Sequence, residues 1–220
     1  MLQKNGIAPD ELPEIWNILK SDIIVDIHKE YLNAGCNIIK TNTFGANKLK
    51  LKKTEYTVNQ IVENTVHLPK KTIGNDDAFV ALDIGPTGKL LKPLGDLDFE
   101  DAIDIFAGTV IAGTKAGADL ILIETMSDTY EMKAAMLAAK ENSNLPIVVT
   151  FTPDETGRLL TGGDILTAVC LIESLGADAL GFNCGLGPSQ IKLLLPELLK
   201  YTSIPIVINP NVGIPEIDEA

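Results

Sequence analysis

The fold is decided by a short apolar run, Leu120-Ile121-Leu122-Ile123-Glu124, which ends in a carboxylate. Its four apolar residues are consecutive rather than alternating, which is typical of a strand buried on both faces of a parallel sheet. Five further runs share this largely apolar character, at residues 37–41, 79–83, 147–151, 179–183 and 206–209. The sequence therefore predicts six parallel strands.

Helix-like stretches lie between these runs. Apolar residues follow a 3.6-residue period from Ile191 to Leu198, and further helices are predicted at 22–34 and around 58–66. One helix-to-strand joint recurs three times, with a glycine at Gly35, Gly117 and Gly176 that suits the left-handed end of a helix. Alternating strands and helices with a repeated joint favour a (β/α) barrel over an open sheet. No strand is followed by Gly-x-Gly-x-x-Gly, which weakens a dinucleotide-binding interpretation.

Composition limits the classes of protein to which this chain can belong. It has 220 residues, 45% hydrophobic and 22% charged, which is ordinary for a globular domain, so we predict one domain over residues 1–220. A formal net charge of −12 argues against nucleic acids and anionic membranes as partners. No apolar run is long enough to span a membrane, and no signal pattern begins the chain. Three cysteines do not make a disulfide framework, so we expect a reducing, cytoplasmic location.

The candidate site residues are the polar residues that follow the predicted strands. Active sites of parallel α/β folds lie at the carboxyl ends of the strands, so these side chains should converge on one rim. They are Thr41, Asn42, Thr43, Asp83, Glu124, Thr125, Thr150, Thr152, Asn183, Cys184, Asn209 and Asn211.

Two of these candidates are carboxylates. Glu124 lies where a buried strand opens to solvent, and it could bind a substrate ammonium or act as a base, or alternatively cap a helix or form an ion pair. Asp83 has the same possibilities, but it could instead fix the turn at 85–88. The asparagines at 42, 183, 209 and 211 could orient an amino-acid-like ligand or satisfy loop backbone.

Cys184 is the most informative cysteine. It ends a strand and precedes the tight loop into a helix that begins at Pro188, and the helix dipole there favours a thiolate nucleophile or metal ligand. The alternative is a small buried apolar residue. For Cys36 and Cys170, which lie away from the rim, we expect that buried structural role. No Cys-x-x-Cys or His-x-x-x-His spacing completes a metal site.

Three aromatic or imidazole side chains receive structural interpretations. His28 and His67 fall in predicted helices, where we expect them to be solvated or capping, and Trp16 is expected to pack in the N-terminal segment. No Ser-His-Asp arrangement is indicated.

Six ordered motifs give the chain a family resemblance. They are TNTFGAN at 41–47, DIGPTGKLL at 83–91, DLILIETMSD at 119–128, TFT at 150–152, NCGLGP at 183–188 and PNVGIP at 210–215. With these motifs the chain resembles the homocysteine S-methyltransferase family, and within it the homocysteine-binding domain of the cobalamin-dependent methionine synthase branch.

The resemblance implies a (β/α)₈ TIM barrel that binds homocysteine as a zinc thiolate for methyl transfer from methylcobalamin. Zinc would be held by three cysteines, of which Cys184 matches one. Glu124 matches the family glutamate that contacts the substrate amino group, and Asn183 matches an asparagine that supports the polar end of the substrate. Asn42 and Asp83 are further candidate substrate contacts. The implied partners are homocysteine and the folate- and cobalamin-binding domains.

The chain also departs from the family. Barrels of this kind usually need about 250 residues, and we can identify only strands two to seven, so we expect the first and last strands to be missing. The Cys-Cys pair expected near the eighth strand is absent. Since one thiolate cannot hold zinc in a tetrahedral protein site, we expect little or no activity from this polypeptide by itself.

Two other functions remain open at this point. One is a non-catalytic module or pseudo-domain that keeps the shape of the barrel. The other is a metal-independent barrel enzyme that uses Glu124 and Asp83 as acid and base.

Overall fold

A computed structural model describes residues 1–74 and 77–212. One motif named above extends beyond these ranges, since the end of PNVGIP, from residue 213, lies outside the described residues.

The six predicted strands are confirmed, and they form one parallel sheet in sequence order. Each strand pairs with the next along the chain; for example, Asp83 lies opposite Leu122 and Gly181 lies opposite Val207. The strands are β1 (Ile38–Lys40), β2 (Phe79–Ile84), β3 (Leu120–Met126), β4 (Ile147–Phe151), β5 (Ala179–Asn183) and β6 (Ile206–Asn209). The result is an α/β fold whose parallel strands form a half-barrel.

Helices connect the strands and pack against the sheet. The described residues contain α1 (Trp16–Leu19), α2 (Ser21–Asn33), α3 (Lys48–Leu51), α4 (Val58–Ile73), α5 (Phe99–Lys115), α6 (Thr129–Asn142), α7 (Ile165–Ser174) and α8 (Pro188–Tyr201), with short 3-10 helices at Leu2–Asn5 and Pro13–Ile15. The three repeated joints have glycines with φ of 90°, 90° and 76°, which is the left-handed conformation that the sequence predicts.

Strand alternation divides the molecule into a core and a cavity. Val80 and Leu82 of β2 are fully buried, and Gly113 of α5 lies so close to Leu82 that an added Cβ would clash with its side chain. Ala81 and Asp83, which point to the opposite face, line a cavity instead. Helix α5 therefore packs on one face of the sheet, and the opposite face lines the cavity together with residues of α2.

Two structural expectations are wrong. His28 is not solvated; it is 4% exposed on α2, because its helix face packs toward β1. Cys170 is not buried, since it lies on the exposed side of α7, whereas Cys36 is half-buried against the core. Trp16 is fully buried, which confirms its packing role.

Among the described helices, none has the length and apolar character needed to cross a membrane.

Candidate functional site

A cavity of about 710 Å³ is lined by the face of the sheet opposite α5 and by one side of α2, at Ile24, Ile27, His28 and Tyr31. Apolar side chains from the strands line its lower part, among them Ile38, Leu122 and Val148. Polar side chains line the end at which the strands finish, and most of them were predicted from the sequence: Thr41, Asn42, Asp83, Glu124, Thr150, Asn183 and Asn209. Seven of the twelve predicted residues therefore line one cavity, whereas Thr43, Thr125, Thr152, Cys184 and Asn211 are not among its lining residues.

Glu124 holds an ammonium group at this rim. Both of its carboxylate oxygens accept hydrogen bonds from Lys40 Nζ, at 3.0 and 2.9 Å. The Glu124 side chain is only 10% exposed, whereas that of Lys40 is 42% exposed. Burial lowers the pKa of Lys40, but the nearby Asp83 and Glu124 carboxylates outweigh burial and raise it, so Lys40 stays charged.

Lys40 was missed as a site residue. Its position near the end of a predicted strand was the available signal, because a lysine in a buried parallel strand needs a partner. Its partner is Glu124, 84 residues further along the chain.

Asp83 is the second carboxylate of the rim. It is 5% exposed, and its Oδ1 has no hydrogen-bond partner within the described part of the chain. Burial raises the pKa of Asp83 well above its usual range, and the nearby Glu124 carboxylate adds to the effect while Lys40 opposes it. A carboxyl group in this environment favours the protonated form.

Two threonine hydroxyls fix the backbone around Asp83. Thr43 Oγ1 donates to the Asp83 carbonyl at 2.7 Å, and Thr41 Oγ1 accepts from the Asp83 amide at 3.0 Å. The two hydroxyls are 2.6 Å apart and complete the chain of hydrogen bonds. The TNTF motif therefore ties the end of β1 to the end of β2.

Asn183, Thr125 and Cys184 form a second cluster, at the ends of β3 and β5. The Asn183 side chain accepts from the Thr125 amide at 3.0 Å and donates to Thr125 Oγ1 at 2.8 Å. Cys184 Sγ receives contacts from Thr125 Oγ1 at 3.9 Å and from Asn183 Nδ2 at 3.6 Å. Two donors directed at one sulfur suit a thiolate or a thiolate ligand.

Of the remaining predicted residues, Asn42 and Thr152 hold loops in place. Asn42 Nδ2 donates to the Pro13 carbonyl at 2.7 Å, which anchors the N-terminal segment. Thr152 Oγ1 donates to the Asn183 carbonyl at 3.0 Å, and Asn211 is exposed. Thr150 is buried in the cavity wall, with no partner for its hydroxyl among the described residues.

Glu14, a buried carboxylate of the N-terminal segment, was also not singled out from the sequence. Its carboxylate accepts from the Gly45 amide at 2.6 Å, and the residue is 4% exposed. It comes from the N-terminal segment, outside every strand, so the rule that assigns site residues to strand ends does not identify it.

The described residues alone do not fit a zinc ion. They contain no group of three or more His, Cys, Asp or Glu side chains that could hold a metal. Cys36 lines the cavity and Cys170 lies on α7, so neither joins Cys184 at the rim. A tetrahedral zinc site at Cys184 would need ligands from outside the described part of the chain.

Sequence comparison places the chain among known proteins. The family model for homocysteine S-methyltransferase matches residues 1–220. Methionine synthases of Mycobacterium leprae and Mycobacterium tuberculosis are each 29% identical to it over 214 residues, covering 92% of this chain. The chain spans only 18% of the length of those two relatives.

Structural comparison agrees with the fold. The homocysteine methyltransferase MmuM from Escherichia coli, in its metallated form, superimposes with a TM-score of 0.84 at 21% identity, covering 96% of this chain and 80% of MmuM. Its apo form gives a TM-score of 0.80. The six strands and their helices therefore have the arrangement found in that protein.

Proposed function

Because the chain belongs to the homocysteine S-methyltransferase family, we propose that it forms the homocysteine-binding part of a methyltransferase, with the cavity at the strand ends as its substrate site. The observation that supports this proposal best is the bidentate contact between Glu124 and Lys40 Nζ. A primary ammonium group already lies against this carboxylate, and the amino group of homocysteine is chemically the same group.

The electrostatics of the rim favour a cationic group. Glu124 is nearly buried, and a charge in that position needs a partner of opposite sign. Asp83 lies beside it with an unpartnered Oδ1 among the described residues, so a second polar contact is available to a ligand. We propose that the substrate ammonium binds Glu124 and that Asp83, Asn42 and Asn183 complete the polar end of the site.

Cys184 would define the sulfur end of the same site. Its sulfur lies beside Thr125, the residue that follows Glu124, so the two ends of the site are close along the rim. We propose that Cys184 is one metal ligand of the complete enzyme and that the other ligands come from outside the described residues. With one thiolate, the chain by itself is expected to have little or no methyl-transfer activity.

We further propose that the half-barrel belongs to a (β/α)₈ barrel and that the methyl donor is methylcobalamin, bound by another domain. Folate- and cobalamin-binding domains are then the partners of this chain. The methionine synthases that it resembles are several times its length, which supports a parent enzyme with further domains.

Calorimetric titration with L-homocysteine tests the substrate site. The unaltered protein should bind homocysteine, and Glu124→Gln should weaken binding by about tenfold or more, since a charge-assisted hydrogen bond contributes roughly 1.5–3 kcal/mol. Glu141→Gln is the matched control, because Glu141 is exposed on α6 far from the rim and should bind as the unaltered protein does. Equal affinity in Glu124→Gln would contradict the proposal, and no binding by the unaltered protein would favour the non-catalytic alternative.

A second candidate function is metal-independent acid–base chemistry by Asp83 and Glu124. The raised pKa of Asp83 beside a second carboxyl group favours it, because a buried carboxyl group that keeps its proton can act as an acid. Cys184→Ala separates the two functions in the parent enzyme. Methyl transfer to homocysteine should be lost if Cys184 is a ligand, and activity should survive if only the carboxylates act.

A further inference from the structure

We propose that Lys40 binds the α-carboxylate of the amino-acid substrate, so that Lys40 and Glu124 together form a site for both charged groups of a zwitterion. This inference rests on the proposed function, since it assumes that the cavity binds homocysteine. It adds a substrate-binding residue that lies near the end of β1 and is not among the predicted contacts.

The position of Lys40 supports this role. Among the described residues that line the cavity, Lys40 is the one lysine, and no arginine is present. Its Nζ lies at the polar end of the cavity, held by Glu124 at 2.9 and 3.0 Å. A ligand that enters the cavity with a negative group therefore finds one permanent cation there.

The spacing of the two charges matches the substrate. In an α-amino acid the ammonium and carboxylate groups are attached to the same carbon, so their charges are neighbours. Lys40 and Glu124 are likewise neighbouring opposite charges. A zwitterion can therefore place its ammonium on Glu124 and its carboxylate on Lys40 without separating the protein pair, so that each charge faces an opposite one.

The Lys40 side chain is more exposed than that of Glu124, as its proposed role requires. Glu124 is 10% exposed and held in the cavity wall, whereas Lys40 is 42% exposed on a flexible four-carbon stem. Lys40 can therefore tilt toward an incoming carboxylate while Glu124 stays in place. Without Lys40, the substrate carboxylate would face the Glu124 carboxylate, and like charges at close range repel.

A simpler role for Lys40 predicts the opposite effect. If Lys40 only neutralises Glu124, its ammonium occupies the place of the substrate ammonium and competes with it. Removing the Lys40 charge would then strengthen the binding of any primary amine to Glu124. The two roles are distinguished by homocysteine, which should bind Lys40→Met more weakly in the first role and more tightly in the second. A ligand that has the amine and the thiol but lacks the carboxylate is the control for the ammonium contact.

The experiment is a calorimetric titration of the unaltered protein and of Lys40→Met with two ligands, L-homocysteine and 3-aminopropane-1-thiol. We expect Lys40→Met to bind homocysteine about tenfold more weakly, the loss expected for one charge-assisted contact. The same variant should bind 3-aminopropane-1-thiol at least as tightly as the unaltered protein. Lys40→Arg should restore most of the homocysteine affinity, and Lys192→Met, an exposed change on α8, should alter neither affinity.

Three results would overturn the proposal. Homocysteine affinity that is unchanged in Lys40→Met would remove the carboxylate contact, while Glu124→Gln could still confirm the proposed function. Tighter binding of both ligands to Lys40→Met would assign Lys40 the competing role. Absence of homocysteine binding by the unaltered protein would overturn the proposed function and this inference together.

Discussion

Thr125 and Cys184 both adopt left-handed backbone conformations, with φ of 62° and 54°, and their side chains meet at an Oγ1–Sγ distance of 3.9 Å. Non-glycine residues seldom adopt this conformation, and a β-branched residue such as Thr125 does so least readily. Both lie at the ends of strands, Thr125 near the end of β3 and Cys184 directly after β5. The surrounding contacts must therefore stabilise two unfavourable turns at once, and Asn183 supplies the most direct of those contacts.

Replacing Asn183 tests how the strained pair is held. Asn183→Ala leaves the Thr125 amide without its acceptor, and an unsatisfied buried polar group costs about 1–3 kcal/mol of unfolding free energy. Urea unfolding should show this loss. Asn211→Ala removes an exposed asparagine and should change stability by less than about 0.5 kcal/mol. Similar small effects from both substitutions would mean that Asn183 does not support the turn.

A second strand-end loop depends on one buried carboxylate. Glu131 on α6 is 4% exposed, and it accepts a hydrogen bond from the Thr87 amide at 2.7 Å. Glu131→Ala should therefore lower the unfolding free energy by about 2 kcal/mol, because the Thr87 amide and hydroxyl both lose their acceptor. Glu141→Ala, an exposed change on the same helix, is the control for chemical denaturation. A loss equal to that of the control would refute this role for Glu131.

The pH dependence of stability should reveal the environment of Asp83. Its pKa in the folded protein is raised above the ordinary value of 3.8, mainly by burial, so the folded state binds the proton more tightly than the unfolded state. The contribution of Asp83 to stability is then present at low pH and is lost as the pH rises through the folded pKa.

Asp83→Asn should remove that loss. The difference in unfolding free energy between the variant and the unaltered protein should therefore shift in favour of D83N as the pH increases from 4 to 8. Denaturant titrations at several pH values measure the difference. Asp96→Asn, whose side chain is 77% exposed, should give a difference that does not depend on pH in this way. A flat difference for D83N would show that Asp83 ionises as freely as in the unfolded chain.

The sequence predicted the strands well because their signal is local. A run such as residues 120–123 is apolar at every position, and burial on both faces of a sheet is the simplest explanation. The strand-end rule also placed Asp83 and Glu124 on one cavity, since parallel strands finish at the same edge.

What could not be predicted depends on contacts between distant segments. The ion pair of Lys40 and Glu124 joins residues 84 positions apart, and periodicity within a three-residue strand cannot show which face Lys40 occupies. Glu14 lies in the N-terminal segment, where it accepts a hydrogen bond from the amide of Gly45, 31 residues away. The burial of His28 likewise follows from how α2 packs against β1, which its own helical pattern does not determine.

His28 gives the sharpest pH-dependent prediction, because the chain contains a matched control. Burial lowers the pKa of His28 from 6.5 to about 4, and a hydrogen bond with the Lys40 backbone opposes the shift only in part. The unfolded state therefore binds the proton first, so the stability contribution of neutral His28 is present above pH 6.5 and is lost as the pH falls toward 4. A shift of this size corresponds to a loss of up to about 3 kcal/mol across that interval.

His28→Gln should flatten the fall in unfolding free energy between pH 7 and 4. His67→Gln, on the exposed face of α4, should leave the pH dependence of the unfolding free energy as it is in the unaltered protein. Equal slopes in the two variants would show that His28 titrates no differently from a histidine in solvent.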